Sequence, residues 1–435
     1  MADLLPVNPY RGTRDFLPEE MAVRQAVFSK FYKVIETYGF QRYDGPLLEP
    51  AEIYEAKSGR EIADQQLYTL TDRSGRRLAL RPEMTPSVAR IVARFAGQLD
   101  FPLRWYSHVN CFRYERPQRG RVREHWQINC DIFGSESEVC EIEIFDLVHD
   151  LMAAVGATRE QYVLRVNCRV IAESAMRHIV GVPEESLPQV FQVVDRWEKV
   201  TEEERVADLA EAGLDDKRIE RLNEVLTGDG GFVDELPADE LADSNIAKLL
   251  KRDERNLFKF DPLIIRAFEY YTSTVFEVFD TDPVNRRSLF GGGRYRDLAG
   301  LFTTQKIPGI GFGMGDVTVL DFLETHGLLP TPRIGSDVAV IPVKAQLNEA
   351  ARTVTRSLRA AGIKTILPLV ERSLSAEMKR AGRNGCRAAV IIGENEWHRR
   401  AVTVRDMRTG EQSEVPSDQV VDRVTQILQA EPGTD

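Results

Sequence analysis

Residues 112–134, FRYERPQRGRVREHWQINCDIFG, combine a strand pattern with polar groups where a buried strand should be apolar. Side chains alternate across a strand with period two. His125, Gln127, Asn129 and Asp131 therefore share one face, and Trp126, Ile128, Cys130 and Ile132 share the other. One face belongs to a core. The other offers hydrogen bonds, to water if it is the wet side of a sheet or to a ligand if it floors a site. Residues 101–123 hold six arginines (104, 113, 116, 119, 121 and 123) against one acid, Glu115. Arginine suits forked contact with phosphate or carboxylate. The segment reads as a strand, a basic turn and a second strand, with an anion-ready tip and a hydrogen-bonding floor.

At 435 residues the chain is too long for one ordinary core, and two or three domains are expected. With 43% hydrophobic and 29% charged residues, disorder is not the default. No apolar run approaches the ~20 residues that span a bilayer. The start, MADLLPVNPYRG, lacks a basic-then-apolar signal pattern. The five cysteines (111, 130, 140, 168 and 386) contain no CxxC, and the six histidines form no HxxxH pair. These features point to a cytoplasmic chain without a structural metal. Its net charge of −11 is local, because residues 171–256 hold 22 acidic and 11 basic residues, leaving 46 of each sign elsewhere. The remaining surface can still present basic patches to phosphates.

Helical periodicity runs over 18–38, opened by Pro18 and closed by Gly39. Residues 76–94 read as a strand, a turn and a helix that starts near Thr85 and Pro86. Residues 171–256 are polar, helix-rich and free of strand signals, as an insertion would be. GLLPTPRIGS at 327–336 is a linker, and 337–430 alternates strands and helices as a compact α/β domain.

The 112–134 hairpin resembles motif 2 of class II aminoacyl-tRNA synthetases, in the version found in the histidyl-tRNA synthetase family. YGFQRYDGPLLEPAEIYEAKSG (38–59) resembles motif 1, with Pro46 at the matching proline, and PGIGFGMGDVTVL (308–320) resembles motif 3. IIRAFEYYTSTVFEVF (264–279) and FGGGRYRDL (290–298) resemble two signatures of the histidine-specific branch. The resemblance implies an α+β catalytic domain over 1–326 built on an antiparallel class II sheet. That domain is interrupted by the acidic helical insertion at 171–256 and followed by a C-terminal α/β anticodon-binding domain. Motif 1 implies a homodimer.

The resemblance also implies roles. Glu83 and Thr85 of RPEMT correspond to residues that hold the α-amino group of histidine. Arg113 corresponds to the arginine on the α-phosphate of ATP, and Glu115 to a glutamate near the adenine end that also helps hold Mg2+ on the phosphates. Gln127, Asp131, Tyr270, Tyr271 and Tyr295 correspond to the histidine pocket, and Arg266 to a cation touching both substrate carboxylate and α-phosphate. Gln118, Arg121 and Arg123 are placed to meet the acceptor end of histidine tRNA, and Arg372 with Ser373 the anticodon stem-loop. The chain departs most in motif 3, where Thr318 stands at the position of an arginine that fixes ATP. Arg294 and Arg296 are the candidates to replace it.

The implied reaction joins L-histidine to ATP as an adenylate and passes it to histidine tRNA, with no nucleophilic side chain. An alternative is a non-catalytic paralogue, either a regulatory subunit of ATP phosphoribosyltransferase or a sensor of histidine or tRNA. That regulatory branch lacks an anticodon-binding domain. Class I chemistry is disfavoured because HIVG at 178–181 is not the HIGH signature and no KMSKS follows; the absence of GxxxxGK[ST] excludes a P-loop. The acidic insertion is expected to contribute little tRNA affinity.

Overall fold

The structure, a computed structural model, describes residues 4–56, 65–197, 200–228, 230–242, 244–252, 257–264, 271–285, 287–295, 297 and 299–430. Arg266, Tyr270 and Arg296, named above as site residues, lie outside them. The chain divides into two compact units, Met1–Asp15 with Ala26–Pro330 and Phe16–Gln25 with Thr331–Asp435.

The first unit carries strands β1 (Gln41–Arg42), β2 (Leu48–Pro50), β3 (Tyr68–Thr71), β4 (Arg77–Leu80) and β5 (Leu103–Phe112). These are followed by β6 (Glu124–Phe133), β7 (Tyr162–Cys168), β8 (Lys259–Phe260), β9 (Thr274–Asp280), β10 (Ser288–Tyr295) and β11 (Gly309–Gly315). Among the described residues, eight form one sheet in the order β1-β5-β6-β11-β10-β9-β7-β8. Its six central strands are antiparallel, whereas the two-residue edge strands β1 and β8 run parallel to their neighbours. A separate small sheet has the order β2-β4-β3.

The helices of this unit are α1 (Pro18–Thr37) from Ala26 onward, α2 (Glu52–Glu55), α3 (Thr85–Phe95) and α4 (Val139–Ala154). Between β7 and β8 the described residues are helical, with α5 (Arg169–Ala175), α6 (Leu187–Asp195), α7 (Glu202–Glu211), α8 (Asp216–Thr227) and α9 (Asn245–Lys251). The last is α10 (Asp316–Thr325). Helix α7 starts on a capping box, in which Thr201 and Glu204 satisfy each other's backbone N–H groups. Val190, Val193, Leu222, Val225 and Leu249 of these helices are buried in the same continuous core as the sheet. The acidic region is therefore part of the unit's core rather than a detachable module.

Strand alternation sorts the sheet into two faces. Ile128, Cys130 and Ile132 of β6 and Ile310, Phe312 and Met314 of β11 pack with Phe28, Phe31 and Ile35 of α1 and Ile144, Phe145 and Val148 of α4. Burying eight or more such side chains at about 1.5–3 kcal/mol each fixes which face of β6 turns inward. The opposite face then has to carry Gln127, Asn129 and Asp131. There α3, with Val88 and Val92 buried, packs with Tyr271, Val275 and Tyr295.

The second unit holds β12 (Val338–Pro342), β13 (Thr365–Ile366), β14 (Ala388–Ile392), β15 (Ala401–Asp406) and β16 (Gln412–Pro416), ordered β13-β12-β14-β15-β16. Its helices are α11 (Asn348–Ala360), α12 (Leu374–Arg383), α13 (Glu394–His398) and α14 (Val420–Gln429). Val354 and Leu358 of α11 and Val424 of α14 cover one face of the sheet, and Ala381 of α12 covers the other.

Candidate active site

Strands β5 and β6 pair without a break from Leu103↔Phe133 to Phe112↔Glu124. Past the strands, the Arg113 N–H donates to the Arg123 carbonyl at 2.9 Å. Gln118 and Arg121 then exchange both backbone hydrogen bonds, at 3.0 and 2.9 Å. Gly120 makes this tight tip possible, with φ at +74°, where a side chain would be strained.

The floor of the site is a glycine carpet. Asp131, Gly311 and Gly293 stand opposite one another on adjacent strands, as do Asn129, Gly313 and Gly291. A Cβ on Gly311 would strike Asp131 Oδ1, one on Gly313 would strike Gln127 Nε2, and one on Gly309 would strike the Tyr295 ring. On Gly293 it would come within 2.6 Å of the Tyr271 ring. Polar and aromatic side chains from β6, β10 and the Tyr271 segment thus lie over glycine positions of β10 and β11, which carry no side chain.

Asp131 is the centre of this arrangement. It is 3% exposed, and its Oδ1 accepts a hydrogen bond from the Tyr295 hydroxyl at 3.0 Å. Its Oδ2 is buried and has no hydrogen-bond partner among the described residues. Desolvation pushes the acid up to about 7, although the Tyr295 hydroxyl opposes it. A buried acceptor left open is costly unless something fills it. Burial and the Asp131 charge also hold the Tyr295 and Tyr43 phenols well above their ordinary value. Tyr43, partly buried, lies beside Asp131 and Ser107.

Along the strand from Asp131, Gln127 Nε2 donates to Asn129 Oδ1 at 2.7 Å. His125 is pushed down to about 3 by desolvation and by Arg113, so it stays neutral and competes with no substrate cation. Arg113 Nε donates to the Pro82 carbonyl at 2.9 Å, next to buried Glu83. Thr85 is the first residue of α3, and that helix start has no side-chain cap. Arg113 is thus tied to the turn that carries Glu83 and leads into α3 at Thr85. Glu115 lies 3.3 Å (Oε2) from Arg121 Nε, and Gln118 and Arg121 are exposed at the tip.

One expectation needs correction. Arg294 is not an ATP ligand in waiting, because its donors are consumed inside the fold. Nε and Nη2 each lie 2.6 Å from a Glu141 oxygen, Nη1 donates to the Ser135 carbonyl at 2.8 Å and Nη2 also reaches that of Ser137. Arg123 is likewise tied down. It donates to the Glu115 carbonyl at 3.0 Å and the Tyr10 hydroxyl at 2.6 Å, and it stacks over Tyr114 at 4.3 Å, so it staples the turn.

The departure in motif 3 has a structural role. Asp316, fully buried, accepts from the Trp126 N–H and from Arg14 Nη2, both at 2.9 Å. It pins the start of α10 to β6 and to the N-terminal segment. Sequence reasoning missed Tyr43, Ser107, Arg14 and Asp316, since their partners are distant in the chain. In the second unit, Arg372 is exposed and 3.8 Å from Glu377, and Ser373 caps α12 by accepting from the Ala376 N–H.

A family model described as histidyl-tRNA synthetase matches residues 12–318, and one described as anticodon binding domain matches 337–427. The histidine–tRNA ligase of Pyrococcus abyssi is 37% identical over 435 residues, covering 97% of this chain and 99% of its own length. That of Leptospira biflexa is 36% identical over 416 residues, covering 94% and 95%. Among solved structures, histidyl-tRNA synthetase from Nostoc superposes with a TM-score of 0.79 at 24% identity, covering 97% of this chain and 100% of that one. An ATP phosphoribosyltransferase regulatory subunit/histidyl-tRNA synthetase from Bacillus halodurans gives 0.72 at 23% identity, covering 87% and 97%. These two likenesses speak to the fold alone. With a family model spanning most of the chain and relatives above one-third identity along nearly all of it, the chain belongs to the histidyl-tRNA synthetase family, among the class II aminoacyl-tRNA ligases.

Proposed function

We propose that the pocket around Asp131 selects histidine for activation by ATP and for transfer to the 3′ end of histidine tRNA. The observation that carries this reading is the buried Asp131 Oδ2, an acceptor left open in a pocket walled by Tyr43, Tyr271 and Tyr295. An imidazole N–H fits that acceptor. A site built on such hydrogen bonds rejects substrates lacking them by about 10⁴–10⁵.

Glu83 and Thr85 take the α-amino group, Gln127 borders the amino acid, and Arg113 grips the α-phosphate. Arg266 and Tyr270 complete the set by resemblance. The histidine carboxylate oxygen attacks the α-phosphorus, and the bond to the bridging oxygen breaks, releasing pyrophosphate. The tRNA ribose hydroxyl then takes the acyl group. Catalysis is positioning and charge stabilisation. Glu115 would help to hold the Mg2+ that accompanies ATP, which would neutralise charge on the phosphates; among the described residues no cluster of three or more His, Cys, Asp or Glu could hold a resident metal.

Gln118 and Arg121 face the acceptor end of tRNA, and Arg372 faces the anticodon loop. Residues 337–430 act as the anticodon-binding domain, 327–336 as linker and 1–326 as catalytic core. Leu47 and Leu48 of motif 1 are exposed, as is Leu70 of β3 in the small sheet that holds Leu48, which supports a homodimer through that surface. No described helix is long and apolar enough to cross a membrane, and the chain works in the cytoplasm. The regulatory-subunit reading is disfavoured by the anticodon-binding match at 337–427. Charging of a histidine tRNA transcript with labelled histidine tests the proposal. Stable acylation of the 3′ end is expected, and histidine binding without acylation would point to a sensor.

A further inference from the structure

Thr318 occupies the position of the expected motif 3 arginine, and its hydroxyl donates to the Leu289 carbonyl, so it brings no charge to the site. A cation reaches the same place from another element. Arg287 Cδ and Thr318 Cγ2 lie 3.5 and 3.7 Å from where a Cβ on Gly120 would stand, at the tip of the motif 2 turn. Arg287 is exposed and makes no hydrogen bond or ion pair among the described residues. Its charged neighbours are Arg121 and Glu115. Partial burial and the Arg121 guanidinium hold it below the ordinary arginine value, and Glu115, itself beside Arg121, only partly offsets them.

The turn that carries Arg287 is a built element. Asp280 accepts from the Asp282 N–H, from Asn285 Nδ2 and from His326 Nε2, each at 2.8 Å. Asn285 also donates to Thr325 Oγ1 at 3.0 Å and accepts from Arg119 Nη2 at 3.3 Å. The turn is thus fastened to the last residues of α10 on one side and to the motif 2 tip on the other. Three guanidiniums, of Arg119, Arg121 and Arg287, gather around Gly120 against two carboxylates, Glu115 beside Arg121 and Arg287 and the partly buried Asp321 beside Arg119. Such an excess of like charge suits a polyanion. Along the hairpin, Asp131 and Gln127 mark the amino-acid end, ~13 Å apart at strand rise. Arg113 follows, and the basic tip comes last.

We propose that Arg287 binds the terminal phosphates of ATP at the motif 2 turn, supplying from the β9–β10 connection the cation that Thr318 lacks. It acts on the pyrophosphate that departs with the bonding electron pair when the histidine carboxylate attacks the α-phosphorus. The proposal rests on the adenylating reading above.

Histidine-dependent ATP–pyrophosphate exchange without tRNA, on the full chain, tests it. Arg287→Ala is expected to raise the KM for ATP and for pyrophosphate about 10- to 100-fold. The KM for histidine and the Tm should stay put, because Arg287 touches neither pocket nor core. Arg287→Lys, a point charge without the fork, should recover part of the loss. Unchanged KM values for ATP and pyrophosphate in Arg287→Ala would overturn the proposal. So would intact exchange with a loss confined to tRNA charging, which would assign Arg287 to a tRNA phosphate. A parent chain without any histidine-dependent exchange would instead sink the underlying reading, and the proposal with it.

Discussion

Replacing Asp131 by Asn should make the ligand-free protein more stable and the enzyme worse. Desolvation lifts the acid from an ordinary 3.8 to about 7, which means that the fold favours its neutral form. The sign follows from linkage. The destabilisation due to the carboxylate is absent below about pH 4, grows as the pH rises, and is complete above about pH 7. The two pH units between 5 and 7 correspond to about 3 kcal/mol at 1.36 kcal/mol each. Asparagine has no such titration, and its Oδ1 can still accept from the Tyr295 hydroxyl. Urea denaturation without histidine should therefore show the gain of Asp131→Asn over the parent growing by about 3 kcal/mol between pH 5 and pH 8. At pH 8, where the parent's carboxylate is ionised, histidine in turn loses a charged acceptor worth about 1.5–3 kcal/mol, a fall of roughly 10- to 150-fold in kcat/KM. A stability difference that is the same at both pH values would refute the desolvation argument. Unchanged histidine kinetics would remove Asp131 from recognition.

Arg294→Met should leave the Glu141 carboxylate buried without its partner and cost about 3–5 kcal/mol in denaturant unfolding. A stable variant with a raised KM for ATP would return Arg294 to the nucleotide. Gly311→Ala drives a methyl into Asp131 Oδ1, so the KM for histidine should rise while that for ATP holds; equal rises would mean a general distortion of the sheet. Lys217 and Lys251 are exposed in the acidic helical region, and changing both to Ala should move the KM for tRNA by less than about twofold. A tenfold rise would place that region on tRNA.

The hairpin could be read because period-two alternation is local, and the core preference of Ile128, Cys130 and Ile132 forces Gln127 and Asp131 to the other side. Much else depended on pairing across the chain. Glu141 is 153 positions from Arg294, so an arginine next to a glycine run looked available when it was already spent on an internal carboxylate. Tyr43 reaches Asp131 only because β1 joins the sheet beside β5. The glycines of 309–313 signalled close approach, yet what approaches is the protein's own Tyr295, Asp131 and Gln127, which only the strand register reveals. Asp316 has no role that its own neighbours in the chain reveal, because its bonds come from Trp126 and Arg14, 190 and 302 positions away. Arg287 left no local pattern, since it belongs to the site through a turn fastened by Asp280 and Asn285.

Histidine-dependent ATP–pyrophosphate exchange, run with each of the twenty amino acids in turn, tests the central claim most directly. The account predicts exchange with histidine alone, with Thr318 in place of the arginine. Exchange with another amino acid, or histidine binding with no exchange, would contradict it.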